Sequence, residues 1–102
     1  MFVIAFDLSV GAAQQHHSKG DRQAYVDIKA ILNGLGFERV QGSVYVAREE
    51  DLVNLFRAID ALRALEWFGP SVKSICAFRM EQGSLHGSGQ GTAMIKIIAK
   101  AL

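Results

Sequence analysis

The first eight residues, Met-Phe-Val-Ile-Ala-Phe-Asp-Leu, leave the chain few ways to fold. Side chains alternate faces along a strand, so Phe2, Ile4, Phe6 and Leu8 share one side and Val3, Ala5 and Asp7 the other. The larger apolar set suits a face covered by helices. The smaller set ends in a carboxylate at the strand's exit, on the rim of a core, where an acid can meet water or a metal. Asp7 can equally serve only to start the following loop, by accepting nearby backbone N–H bonds.

A chain of 102 residues is one domain, large enough for a single core without disulfide or metal staples. Half its residues are hydrophobic (50%) and 21% are charged, a globular composition. The formal net charge of +1 excludes a polybasic grip as the main device, so nucleic-acid binding would need a local basic patch or patches joined in an oligomer. Cys76 has no partner for an internal disulfide, and its apolar setting reads as core. No basic-then-apolar leader opens the chain and no apolar run approaches about 18 residues, which predicts a soluble cytoplasmic protein without a membrane span.

Ser9 to Gly20 is polar and without periodicity, which predicts a loop. His16 and His17 lie within it; adjacent side chains rarely converge on one ion, so both read as solvated. Ala24, Tyr25, Ile28, Ile31, Leu32 and Leu35 then form one stripe of a helix, capped by Asp21 and stopped by Gly34 and Gly36. Residues 36–46 read as two short strands around a Gln41-Gly42 turn. A second helix is predicted from about Glu49 to Trp67, with Leu52, Leu55, Phe56, Ile59 and Leu62 as its buried stripe. Trp67-Phe68 closes the core, and Ser71 to Met80 is the last clear strand. The domain is set at residues 1–82, followed over 83–102 by a Gly-rich linker and an apolar segment. Gly87-Ser88-Gly89-Gln90-Gly91 lacks the Lys-Ser/Thr ending of a phosphate loop and reads as linker. The tail from Thr92 reads as a short docking helix, or alternatively as a strand swapped across a dimer.

This order predicts an α+β, ferredoxin-like βαββαβ fold, an antiparallel sheet with two helices on one face plus a C-terminal extension. The first strand then lies between the third and fourth, so Asp7, Ser43 and the stretch from Ser71 to Ser74 share one rim. The helix-free face would expose Val3 and Ala5, and a homodimer through it would bury them. Two copies of Asp7 near a two-fold axis would share a divalent metal or raise one carboxyl's pKa.

Phe6-Asp7-Leu8, Leu35-Gly36-Phe37, Gln41-Gly42-Ser43-Val44-Tyr45, Glu66-Trp67-Phe68, and Ser71-Val72 leading to Ala77-Phe78 together resemble the virulence-associated protein D (VapD) family. The resemblance covers about residues 1–81, and VapD proteins are similar to the small CRISPR-associated ferredoxin-like nucleases of the second Cas family. It implies a homodimeric endoribonuclease, in some cases the toxin of a toxin–antitoxin pair. It also implies that Asp7 is the catalytic or metal-binding acid and that Ser43 contacts the scissile phosphate; the divalent metal expected there is Mg²⁺.

On this reading Asp7 holds Mg²⁺ or deprotonates a water or ribose 2′-OH, while Lys73 or Arg39 stabilises the phosphorane charge. Tyr45 and Tyr25 could stack bases, worth about 1–3 kcal/mol each, although Tyr25 on the helix stripe reads as core. The alternative is a non-catalytic dimer that binds RNA, a cognate antitoxin or another protein, with Asp7 structural.

Overall fold

The computed structural model describes residues 1–80 and the short strand Ile97–Ile98. Strands β1 (Phe2–Leu8), β2 (Glu38–Gln41), β3 (Val44–Ala47) and β4 (Val72–Arg79) form an antiparallel sheet in the order β2-β3-β1-β4. Strand β5 (Ile97–Ile98) adds to the outer edge of β4, opposite Cys76 and Ala77. The helices are α1 (Val10–His16), α2 (Asp21–Gly34), α3 (Leu52–Arg63) and the single turn α4 (Phe68–Ser71). The ferredoxin-like order is therefore present, with β1 between β3 and β4. No helix among the described residues is long and apolar enough to cross a membrane.

The alternation in β1 decides where the core lies. Phe2, Ile4, Phe6 and Leu8 are all buried, packed with Ile28 and Leu32 of α2, Leu55, Ala58, Ile59 and Leu62 of α3, and Phe68 of α4. Phe6 stacks on Tyr45 at a centroid distance of 6.1 Å and meets the edge of Phe68 at 6.3 Å. Such aromatic pairs add to the burial of their own area.

Local chemistry ends each main helix. Gly36, at φ +83°, lets the chain turn out of α2, where Gly36 N–H bonds Asn33 O (3.2 Å) and Phe37 N–H bonds Leu32 O (2.9 Å). That pair of bonds satisfies two of the helix's orphan carbonyls. Helix α3 starts later than predicted, at Leu52, because the Asp51 carboxylate caps it by accepting the Asn54 N–H at 3.1 Å. Asn54 Nδ2 in turn donates to Leu35 O at 2.6 Å, tying α3 to the end of α2. Gly42 turns the β2–β3 hairpin at φ +46°.

Several expectations are corrected. The stretch predicted as a loop holds α1, whose first turn is capped by Ser9 Oγ accepting from Ala12 N–H at 3.3 Å. Seven residues carry too little periodicity to announce a helix. Gly20, not Asp21, is the residue before α2. Tyr25 is 37% exposed, because the buried ridge of α2 is the narrower set Ala24, Ile28 and Leu32. Phe56 and Leu52 likewise lie on the exposed side of α3. On the helix-free face Val3 is only 1% exposed, between Val46 of β3 and Phe78 of β4. Cys76 is on that same face and half-buried, not core. Ile97–Ile98 is strand and not helix: two β-branched residues suit the open edge of β4 better than a helix turn. The rest of the linker and tail, including the Gly87–Gly91 stretch, lies outside the described residues.

His17 departs furthest from its predicted solvated setting, being only 7% exposed. Lys19 N–H donates to its Nδ1 at 2.9 Å, which makes Nδ1 the acceptor and Nε2 the donor to Asp27 Oδ2 at 2.7 Å. The ring meets Trp67 edge-on at 4.9 Å. One imidazole thus joins α1, α2 and the segment before α4. The Asp27 carboxyl titrates below its usual value, chiefly because Gln23 Nε2 donates to it (2.9 Å) and secondly because His17 does. A carboxyl with a depressed folded pKa contributes stability that is fully present above its unfolded pKa and is lost as pH falls through the folded value. Thermal melts should therefore show Asp27→Asn less stable than wild type at neutral pH, the gap narrowing only as pH falls below about 4, the unfolded value, toward the lowered folded one. A gap that is constant with pH would mean that the Asp27 charge contributes nothing.

Candidate active site

β1 delivers Asp7 to the rim because Phe6 and Leu8 on either side are held in the core, which sends the residue between them to the other face. Asp7 is exposed and lies opposite Ser74 of β4. The next pair is Leu8 with Val72, so Lys73 is skipped and becomes the extra residue of a β-bulge. Bulges bend the strand locally and re-aim side chains. Lys73 is exposed and lies next in sequence to Ser74, the residue that faces Asp7.

From the other neighbour, Ser43 O accepts the Phe6 N–H at 3.2 Å, immediately before β3 begins. Ser9 N–H donates to Ser71 O at 2.8 Å and closes the corner from the α1 side. The backbones at Asp7, Ser43 and Ser71–Ser74 therefore do share one rim, as the strand order requires.

Their side chains divide between two faces. Ser43 lines a cleft on the helix side with Tyr25, Val26 and Lys29 of α2 and with Arg39, Gly42 and Tyr45 of the hairpin, about 460 Å³ in volume. Asp7, one residue beyond the buried Phe6, projects from the opposite face. Anything touching both must pass over the rim.

Tyr45 is 3% exposed with its ring stacked on Phe6, so it forms a floor of the cleft and not a free stacking surface. Burial pushes its phenol pKa up, against the pull of the nearby Arg39 charge. Arg39 pairs with Tyr45 across the hairpin, and its Nε donates to Gly42 O at 2.7 Å, which holds the guanidinium over the turn. Lys29, which the sequence reading does not single out, joins Tyr25 in this cleft because the two are i, i+4 neighbours on α2.

A larger concavity, about 520 Å³, opens near the opposite end of β1. Glu38, Glu49 and Asp51 line it beside Arg48, a balance that disfavours an anionic substrate. Close by, Glu50 Oε2 accepts from the Met1 ammonium (2.6 Å) and from Arg79 Nε (2.9 Å), a pairing that ties the start of β1 to the end of β4.

As for metals, no group of three or more His, Cys, Asp or Glu side chains that could hold an ion occurs among the described residues. Asp7 is a single carboxylate. Mg²⁺ keeps several waters and commonly takes one or two carboxylates with substrate phosphate, so one Asp7, or two across a dimer, is a donor set compatible with it.

Comparison with known proteins matches residues 1–86 to the family described as CRISPR associated protein Cas2. The chain is 52% identical over 84 residues to "Endoribonuclease VapD homolog" of Neisseria gonorrhoeae, covering 82% of this chain and 91% of that protein. It is 51% identical over 84 residues to "Endoribonuclease VapD" of Haemophilus influenzae, with the same two coverages of 82% and 91%. To "Endoribonuclease VapD" of Helicobacter pylori it is 40% identical over 86 residues, covering 82% and 92%.

Proposed function

The chain belongs to the VapD family, which is related to Cas2, and from that membership we propose that it is an endoribonuclease whose reacting centre is Asp7. The observation that carries the reading is the exposed Asp7 carboxylate beside the Lys73 bulge, in a chain about half identical to proteins named endoribonuclease.

The Asp7 carboxylate takes the proton from a water or a ribose 2′-OH as that oxygen attacks phosphorus. The P–O bond to the departing ribose oxygen breaks, and that oxygen is protonated from solvent. Lys73, next to the Ser74 that faces Asp7, offsets the charge developing on the non-bridging oxygens. Ser43 donates from the helix side to a phosphate on the part of the strand that has crossed the rim. Where Mg²⁺ is bound, Asp7 would hold it in place of acting as the base, and the ion would supply neutralisation of phosphate charge.

The working unit on this proposal is a homodimer through the helix-free face, where Ala5, Val44, Val46, Cys76 and Phe78 are only half-buried. The finer reading, a toxin held in check by an antitoxin, rests on the family resemblance alone. Growth arrest on induction of wild type, and none with Asp7→Asn, is what it requires.

The experiment is cleavage of a labelled mixed-sequence RNA with Mg²⁺ and with EDTA, after measuring the particle mass. Cleavage by a dimer is expected, reduced in EDTA. Equal rates in the two conditions would remove the metal from the proposal and leave Asp7 as a plain base. A dimer that binds RNA but never cleaves it would favour the non-catalytic reading.

A further inference from the structure

The cleft between α2 and the hairpin carries more chemistry than the cleavage step uses. Tyr25 is an exposed aromatic, 37% accessible, and its ring has no aromatic neighbour among the described residues. Lys29 lies one helix turn further on the same face of α2, and Arg39 faces it from β2. Neither cation is paired with a carboxylate among the described residues, and no acid lines the cleft. Val26 supplies an apolar wall, and Ser43 opens the cleft directly onto the rim.

The geometry points to a subsite for single-stranded RNA in this cleft, in which Tyr25 stacks on one unpaired base while Lys29 and Arg39 hold the flanking phosphates. An aromatic face flanked by cations is how sequence-tolerant single-strand sites are built. A base can enter only when it is unstacked, which selects single strands over duplex. A net charge of only +1 is no obstacle, because both cations here are unopposed. The subsite rests on the endoribonuclease reading and adds to it a strand path: over the rim from Asp7, past Ser43, and down along α2.

The test is binding of a short labelled single-stranded oligoribonucleotide of mixed sequence to Asp7→Asn, in which the RNA survives, over a range of salt. Adding Tyr25→Ala should raise Kd roughly 5- to 100-fold, and Tyr25→Phe should restore binding, since a stacked base is worth that much. Lys29→Gln should lower the slope of log K against log salt by about 0.7, the value for one phosphate contact on a single strand. In the cleaving protein, the Tyr25→Ala loss in kcat/KM should fall mainly on KM. If wild type cleaves RNA while Tyr25→Ala and Lys29→Gln leave Kd, salt slope and KM unchanged, the subsite is wrong and the nuclease reading stands. If wild type neither binds nor cleaves RNA, both are wrong.

Discussion

Asp7→Asn should slow RNA cleavage by about 10²–10⁴-fold, the range that a positioned general base supplies. The substitution keeps the size and shape of the side chain and removes the charge and the basicity. Asp7 is exposed, and its neighbours Phe6 and Leu8 hold β1 in register from the opposite face, so the fold and the melting temperature should barely move. RNA binding should persist, because the cations at Lys73, Lys29 and Arg39 are untouched. Particle mass must be compared as well. Full-rate cleavage by a variant of unchanged mass would refute Asp7 as the base, whereas loss of the dimer would show that the carboxylate is structural.

Phe68→Ala should destabilise the fold by about 3–5 kcal/mol, the usual cost of emptying a buried phenyl site. Phe68 is fully buried, meets Phe6 edge-on at 6.3 Å, and contacts Trp67 at 6.1 Å. Its removal leaves a cavity under the end of β1 and beside the Trp67 on which His17 packs. For a domain of this size the melting temperature should drop by roughly 15 °C or more. At a temperature where the variant is still folded, cleavage should fall less than with Asp7→Asn, because the reacting group is retained. A shift of only a few degrees would mean that the site collapses around the missing ring.

The fold was legible because its strongest signals are local. The alternation in β1, the ridge Ala24, Ile28, Leu32 and the Gly36 stop each state their structure within a few residues, and the structure agrees at each of them. The hairpin turn falls one residue later than predicted, at Gly42-Ser43, because Gln41 still pairs with Val44. Helix α1 was illegible because its support is distant. Ser9 is held by Ser71, and His17 is held by Asp27 and Trp67, across separations that no periodicity spans. Tyr25 and Phe56 were misjudged for a related reason: both flank an apolar stripe, and whether the flank is covered depends on what lies opposite.

For the candidate site, the sequence alone placed Asp7 at a strand exit and, through the strand order, Ser43 and Ser71–Ser74 on the same rim. Connectivity determines which strand ends are neighbours, and connectivity is written in the chain. Tertiary structure alone decided how the side chains of the neighbouring strands line up with the two faces of β1. The skipped Lys73, the stacking of Tyr45 on Phe6, and the cleft that joins Ser43 to Tyr25 and Lys29 arise from register and packing between segments far apart in sequence. A shift of one residue in register moves a side chain to the other face of a sheet, so only the paired strands could separate Asp7 from Ser43.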